Sequence, residues 1–247
     1  MKRRLSFALI SIFSAATLSG CSELSTLGFE KGVTSVNDAS HGLWRGAWIA
    51  AAVVGVITFI LIIWPALFHR ANNAKKGEFP KQTQYHIPIE IVYTVIPFLI
   101  VAVLFYFTLK SENKIISKTA NVQHEIGVEG IQWSWQFSYP EAGPNAVVTG
   151  TPAQPPVLYL PKGERVRFKI TANDVVHGFW IPAFMIQRQN IPGVTNYLEL
   201  TANKLGEFPG RCNILCGRNH AQMLFKVKVV TPEQYQAYLE TLKAGAK

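Results

Sequence analysis

The residues best equipped for chemistry lie close together near the C-terminal end. Cys212, Cys216, His220 and Met223 occur as Cys-x3-Cys-x3-His-x2-Met within residues 210–223. A further imidazole, His177, lies upstream in Asn173-Asp-Val-Val-His-Gly-Phe-Trp-Ile-Pro182. Two thiolates, two imidazoles and a thioether form a soft donor set, which favours copper, above all where Cu(I) must be held. A one-copper blue site uses one Cys, two His and a weak axial Met. The second cysteine lets two thiolates bridge two coppers, each with its own terminal His. Two other readings stay open on the residues alone. A Cys2His2 zinc site has no use for Met223 and is commonly built from closer Cys pairs. A disulfide between Cys212 and Cys216 suits an oxidising compartment but leaves His177, His220 and Met223 without a role.

Two further features hold polar or aromatic groups in unusual places. Glu90 interrupts an otherwise apolar run at residues 87–109. A carboxylate inside a membrane span is costly and points to function, although a Glu near the boundary can also reach headgroup water. Trp133, Trp135, Phe137 and Tyr139 alternate within Gly130-Ile-Gln-Trp-Ser-Trp-Gln-Phe-Ser-Tyr139. Alternation puts them on one face of a strand, where core packing is the plainest use.

These groups need elements to position them. Residues 46–68 carry no charge and are long enough to cross a hydrocarbon core of roughly 30 Å. Trp44, Trp48 and Trp64 lie towards the ends of this run, where indoles favour the interface. Residues 87–109 form the second run, which makes 44–109 a transmembrane helical hairpin. Its loop, 69–86, carries Arg70, Lys75, Lys76 and Lys81 against Glu78 alone, so the positive-inside rule makes it cytoplasmic. Both ends of the hairpin then lie outside. Residues 110–247 read as an all-β outer domain. Arg165–Thr171, Val194–Ala202 and Met223–Val230 alternate polar and apolar, with Gly and Pro punctuating between them. Short strands and frequent turns predict a β-sandwich or Greek-key barrel. Residues 140–156, rich in Pro, Gly and Ala, are expected to be loop. Thr231-Pro-Glu-Gln234 carries the signature of an N-cap with Pro at the first helical position, predicting a short final helix.

At the other end, Lys2, Arg3 and Arg4 precede an apolar stretch from Leu5 to Thr17. That is signal-peptide anatomy and too short for a span. The segment ends Leu18-Ser-Gly-Cys21, which resembles the lipobox of bacterial lipoproteins, in which the cysteine is acylated and becomes the new N-terminus. Residues 1–20 are therefore set aside as a leader and 21–43 as an outer N-terminal segment. Composition agrees with a membrane protein. Charged residues are 16%, the hydrophobic set 49%, and mean hydropathy is +0.16. A chain this apolar is not disordered as a whole, and three cysteines are too few for a disulfide scaffold. The net charge of +9 forms no basic module with exposed aromatics, so no nucleic-acid partner is expected.

Taken together, these motifs resemble subunit II of a bacterial haem–copper cytochrome c oxidase, over nearly all of the chain after the leader. The resemblance implies a cupredoxin-like Greek-key domain with a binuclear copper centre, CuA. Cys212 and Cys216 would bridge the coppers, His177 and His220 would be terminal ligands, and Met223 and the backbone carbonyl of Ile214 weak axial ones. It also implies that Trp133 is the indole through which the electron enters, with Trp135 closer to the metal. Glu90 would feed protons to subunit I. The implied partners are subunit I, further oxidase subunits, a cytochrome c donor and the membrane. The implied place is the bacterial cell membrane, multi-pass, with the copper domain on the outer face. The implied activity is that of a proton-pumping oxidase passing electrons to haem in subunit I. No Cys-x-x-Cys-His motif for haem occurs, so the chain is not catalytic alone. A quinol oxidase subunit lacks the copper ligands found here, and a lipid-anchored copper protein without an oxidase partner leaves the two spans and Glu90 unexplained. Three positions depart from the family pattern. Ile214 stands where a Glu is usual, which puts the family's magnesium ion at the border with subunit I in doubt. Gln189 and Val194 replace a usual Asp and Arg, so the contact with subunit I is expected to differ. Finally, residues 110–247 carry 15 Lys and Arg against 10 Asp and Glu. That net of +5 predicts a donor that is acidic or neutral, or held in a larger complex.

Overall fold

The computed structural model describes residues 27–69 and 82–245. The leader, the lipobox with Cys21, and residues 70–81 of the inter-span loop lie outside the described residues. Two long helices come first, α1 (Asn37–Phe68) and α2 (Ile87–Ile116). Both are long and apolar enough to cross a membrane, and the apolar windows of both bury nothing against the rest of the chain. Their exposed Leu, Ile, Val and Phe side chains are a surface for lipid or for other membrane helices. Each helix runs further than its apolar stretch. α1 begins at Asn37, within the stretch read as an N-terminal segment, and α2 continues through Lys110 to Ile116. The apolar pattern ends before the helices do, because backbone hydrogen bonding carries each one past its apolar stretch.

The start of α1 is held by Thr34, whose hydroxyl accepts from Asn37 N at 3.1 Å. At the start of α2, His86 Nδ1 accepts from Ile89 N at 3.4 Å and Glu90 Oε1 accepts from His86 N at 2.8 Å. The reciprocal arrangement satisfies two of the N–H groups that a helix start leaves open.

The domain that follows α2 is a β-sandwich. Its strands are β1 (His124–Ile131), β2 (Ser134–Ser138), β3 (Val147–Thr149), β4 (Val157–Pro161) and β5 (Arg165–Ala172). They continue as β6 (His177–Ile181), β7 (Ile186–Asn190), β8 (Asn196–Thr201), β9 (Gly206–Cys212) and β10 (Leu224–Val230). One sheet has the order β3-β2-β1-β5-β8 and the other β4-β10-β9-β6-β7. Each contains one parallel pair, β1 with β5 and β4 with β10, as a chain that crosses between sheets requires. Every second residue of β5 is buried, as its alternation predicts. The stretch 140–156, expected to be loop, contributes one short edge strand, β3, because Val147 and Val148 are β-branched and can pair with β2.

Between the sheets lies an aromatic core in which Phe179 and Phe225 stack at 5.1 Å, with Trp135 edge-on to both. The last helix, α3 (Pro232–Gly245), begins as expected. Gln234 N donates to Thr231 Oγ1 at 3.3 Å, and Thr231 N donates to Gln234 Oε1 at 3.2 Å. This helix buries Tyr235 and Leu239, and Tyr238 stacks on Tyr159 at 3.9 Å.

Candidate metal centre

Sheet pairing explains how residues 35 apart in sequence meet. β6 and β9 are neighbours, with Phe179 opposite Cys212. His177 opens β6 and Cys212 closes β9, so both stand at the same end of the sheet. The chain then turns back into β10, and Cys212 N donates to Met223 O at 3.0 Å across the base of the loop. Cys212 and Cys216 are buried free thiols with sulfurs 3.8 Å apart. Cys216 Sγ lies 3.6 Å from His220 Nδ1 and 3.7 Å from Met223 Sδ. Cys212 Sγ lies 3.2 Å from the carbonyl oxygen of Ile214. The donor atoms of His177, Cys212 and Cys216 fall within 4.8 Å of one another. All six positions singled out in the sequence thus converge.

His177 is fully buried, and its Nε2 pairs with Asp174 Oδ1 at 2.8 Å. Its Nδ1 is buried with no hydrogen-bond partner. With Nε2 engaged by Asp174, Nδ1 is the ring nitrogen left for the space beside the sulfurs. Leaving a buried polar nitrogen unmatched costs about 1–3 kcal/mol, a penalty that a metal ion would remove. The ring is seated against Gly130, where a Cβ would come within 2.8 Å of its Cδ2.

The thiols are electrostatically unequal. Burial opposes ionisation of Cys212, but the His177 ring, the Gly178 N–H and the Ile214 backbone outweigh it and bring this thiol down to about 6. Burial and the neighbouring Cys212 charge push Cys216 up to about 12. Cys212 is thus the readier thiolate of the two, and a bound cation would favour loss of the proton from both. Two thiolates, two imidazoles, a thioether and a carbonyl fit copper, whereas Met223 would be idle at zinc.

Trp133 and Trp135 do not share one environment. Trp135 is fully buried, and its Nε1 donates to Met223 O at 3.3 Å. Trp133 sits in the turn after β1, only partly buried, and its Nε1 donates to Cys216 O at 3.1 Å. Three contributors were not singled out from the sequence. Asp174 orients His177 and also accepts from Gln132 N at 2.6 Å. Gln132 Nε2 reaches Cys216 O at 2.9 Å. Arg188 approaches the metal loop from β7, where it lines a pocket with Ile214. The Asp three residues before His177 was the available signal for the first. Glu90 lies far from this centre, in the cap of α2 described above. A magnesium ion does not fit beside Ile214. The side chains lining that pocket are amides, an Arg and two Ile, with no carboxylate. A hard divalent cation asks for oxygen donors without a cationic neighbour.

The family model described as the periplasmic domain of cytochrome c oxidase subunit II matches residues 154–230. A probable cytochrome c oxidase subunit 2 from Streptomyces avermitilis is 38% identical over 280 residues, covering 98% of this chain and 88% of that one. This chain belongs to the cytochrome c oxidase subunit II family. A second such relative, from Streptomyces coelicolor, is 37% identical over 98% of this chain and 88% of its own length. Among solved structures, the periplasmic domain of subunit II of cytochrome oxidase from Bradyrhizobium japonicum is 28% identical. It aligns with a TM-score of 0.46, covering 53% of this chain and all of its own. Subunit II membership makes the chain part of an oxidoreductase complex of the membrane, and the cluster around Cys212 and Cys216 is its candidate copper site.

Proposed function

We propose that this chain is the electron-accepting subunit of a proton-pumping cytochrome c oxidase. It takes electrons singly from a cytochrome c and delivers them to haem in subunit I, where oxygen is reduced to water. The observation that carries this reading is the buried pair of free thiols facing an unpartnered His177 Nδ1. Cys212 and Cys216 would bridge two coppers, with His177 and His220 as terminal ligands. Met223 and the Ile214 carbonyl would be weak axial donors. When bound, the copper pair supplies a one-electron acceptor and donor.

The protein's own work is to keep these donors still. Asp174 fixes the tautomer and tilt of His177, and the pairing of β6, β9 and β10 fixes the base of the loop. Trp135 holds the Met223 carbonyl from the core side. Donors that do not move between redox states keep the reorganisation energy low. Trp133 is assigned as the group through which the electron enters, because its partly buried indole is hydrogen-bonded to the backbone of Cys216, which would be a copper ligand. Glu90, near the cytoplasmic boundary, is assigned to proton uptake in addition to its capping bond. Cys21 carries the lipid, and the N-terminus and copper domain lie on the outer face.

The test uses the purified full-length chain in detergent, loaded with copper. Two coppers per chain and a spin-resonance spectrum of one electron shared over two copper nuclei are expected, and Cys212→Ser should abolish that spectrum. A single copper, or a Cys212→Ser chain with an unchanged spectrum, would overturn the assignment.

A further inference from the structure

The pocket beside Ile214 has a chemistry of its own. Its volume is about 340 Å³, and Gln187, Arg188, Gln189, Asn196, Asn213 and Ile214 line it. The fold brings them together around β6. β7 pairs with one edge of that strand, placing Arg188 opposite Phe179, and β9 pairs with the other edge, placing Cys212 opposite the same residue. Past the end of β9, Asn213 N donates to Gly178 O at 3.2 Å, so residues 213 and 214 fold over β6 towards β7. The pocket thus adjoins the loop whose Ile214 carbonyl faces Cys212.

Arg188 is the group in this pocket without a match. Its Nη2 donates to Asn196 Oδ1 at 3.3 Å, while its Nε is buried without a hydrogen-bond partner. Asn196 Nδ2 is spent on Gln189 O at 2.8 Å, and Asn213 Nδ2 on Gln187 Oε1. No acidic side chain lines the pocket. A partly buried guanidinium with no acidic partner in its pocket favours an anion there, met by the outer nitrogens because Nε is shut off by the chain itself. Its planar fork matches a carboxylate with two parallel hydrogen bonds. The volume is at the lower end for ligand pockets, enough for the end of a side chain and small for a nucleotide or haem.

We propose that this pocket receives a carboxylate side chain of the haem-bearing oxidase subunit, with Arg188 as its forked donor. The proposal rests on the functional reading above. Arg188 is then a positioning residue for the metal loop against its electron acceptor.

The experiment uses the intact oxidase, captured through a tag on this chain. Wild type, Arg188→Leu, Arg188→Gln and Arg188→Lys are compared. Retention of the haem-bearing subunit is measured after washes of rising salt, with the copper spectrum as the check on folding. Loss of a buried, hydrogen-bonded charge partner should weaken retention roughly tenfold or more in the Leu and Gln variants. Lys, which keeps the charge but not the fork, should be intermediate. The copper spectrum should be the same in all four. Equal retention across the four would overturn the pocket's role and leave the functional reading standing. Loss of the copper spectrum in both neutral variants would make Arg188 a folding residue and overturn it too. Manganese bound to the wild-type complex and ligated by residues of this pocket would show a cation site and overturn it as well. A wild-type chain that holds two coppers yet retains no haem-bearing subunit would fail the functional reading itself.

Discussion

Trp133 Nε1 and Gln132 Nε2 donate to one carbonyl, that of Cys216, at 3.1 and 2.9 Å. The approach depends on Gly217. Its φ is +122°, and a Cβ there would come within 3.0 Å of Trp133 Nε1. The indole is thus hydrogen-bonded to the residue whose thiol faces Cys212, with part of its ring left open to a partner. Trp133→Ala should slow reduction by cytochrome c by roughly one decade or more, while a small inorganic reductant still reduces the copper at the wild-type rate. Rapid-mixing absorbance with both donors checks this, and equal loss with both would make Trp133 a packing residue. Much of this site was legible in the sequence, because four of its side chains lie on one short loop and their spacing is their signature. Asp174 and Arg188 were less so. A carboxylate three residues before a His has many uses, and Arg188 meets Ile214 only because β7 and β9 flank the same strand. Alternation says which face a side chain takes; it is silent on which strand lies next to it.

At the scale of elements, the join between α2 and the sandwich is organised around a buried charge. Glu199 on β8 has a side chain 1% exposed, and it accepts from Arg165 and Arg167 on β5 at 3.1 and 2.8 Å. It also accepts from the Thr119 backbone N–H and hydroxyl, both at 3.0 Å. Thr119 belongs to the short link between α2 and β1, so this carboxylate ties the exit from the membrane to the sheet. Burial alone would raise its pKa; the bonds from Arg167, Thr119 and Arg165 outweigh burial and hold it below the ordinary glutamate value. A folded-state pKa below the unfolded one stabilises at pH above the unfolded value. That stability fades as pH falls through the folded pKa. Glu199→Gln should therefore cost about 2 kcal/mol at pH 7, in the range for hydrogen bonds to charged groups. The deficit should shrink as pH drops below about 4.3, the ordinary glutamate value. Melting curves of the full chain across that range measure it. A difference in Tm between wild type and variant that stays constant with pH would show that charge is not what Glu199 contributes. None of this was readable in advance: Arg165, Arg167 and Glu199 each look like the solvent-facing half of an alternating strand.

At the scale of the whole molecule, the described part of the N-terminal segment lies along the sandwich. Ser35 N donates to Thr201 O and Asn203 N to Val33 O, both at 2.9 Å, and Val33 and Val36 join the hydrophobic core. A membrane hairpin would return the chain to the side it left, which agrees with this contact. On the face around the metal loop, Leu215 is 81% exposed, and Arg211 and Arg218 are exposed beside the two cysteines. An apolar side chain bared next to the candidate copper site desolvates readily in a contact, and the charges around it would decide which electron donor arrives first. Residues 110–247 carry a net charge of +5, and Asp174, the carboxylate beside the site, is bonded to His177 and to Gln132 N. A basic soluble cytochrome c should therefore be repelled, over a range of roughly 10 Å at 0.1 M salt. The intact oxidase should turn over slowly with a basic cytochrome at low ionic strength, and the rate should hold or rise as salt screens the repulsion. An acidic cytochrome should show the reverse, with fast turnover at low salt that falls as salt is added. Oxygen consumption measured against salt for both donors separates the two. Fast low-salt turnover with the basic donor, falling steeply as salt rises, would mean that a local acidic patch overrides the domain's net charge.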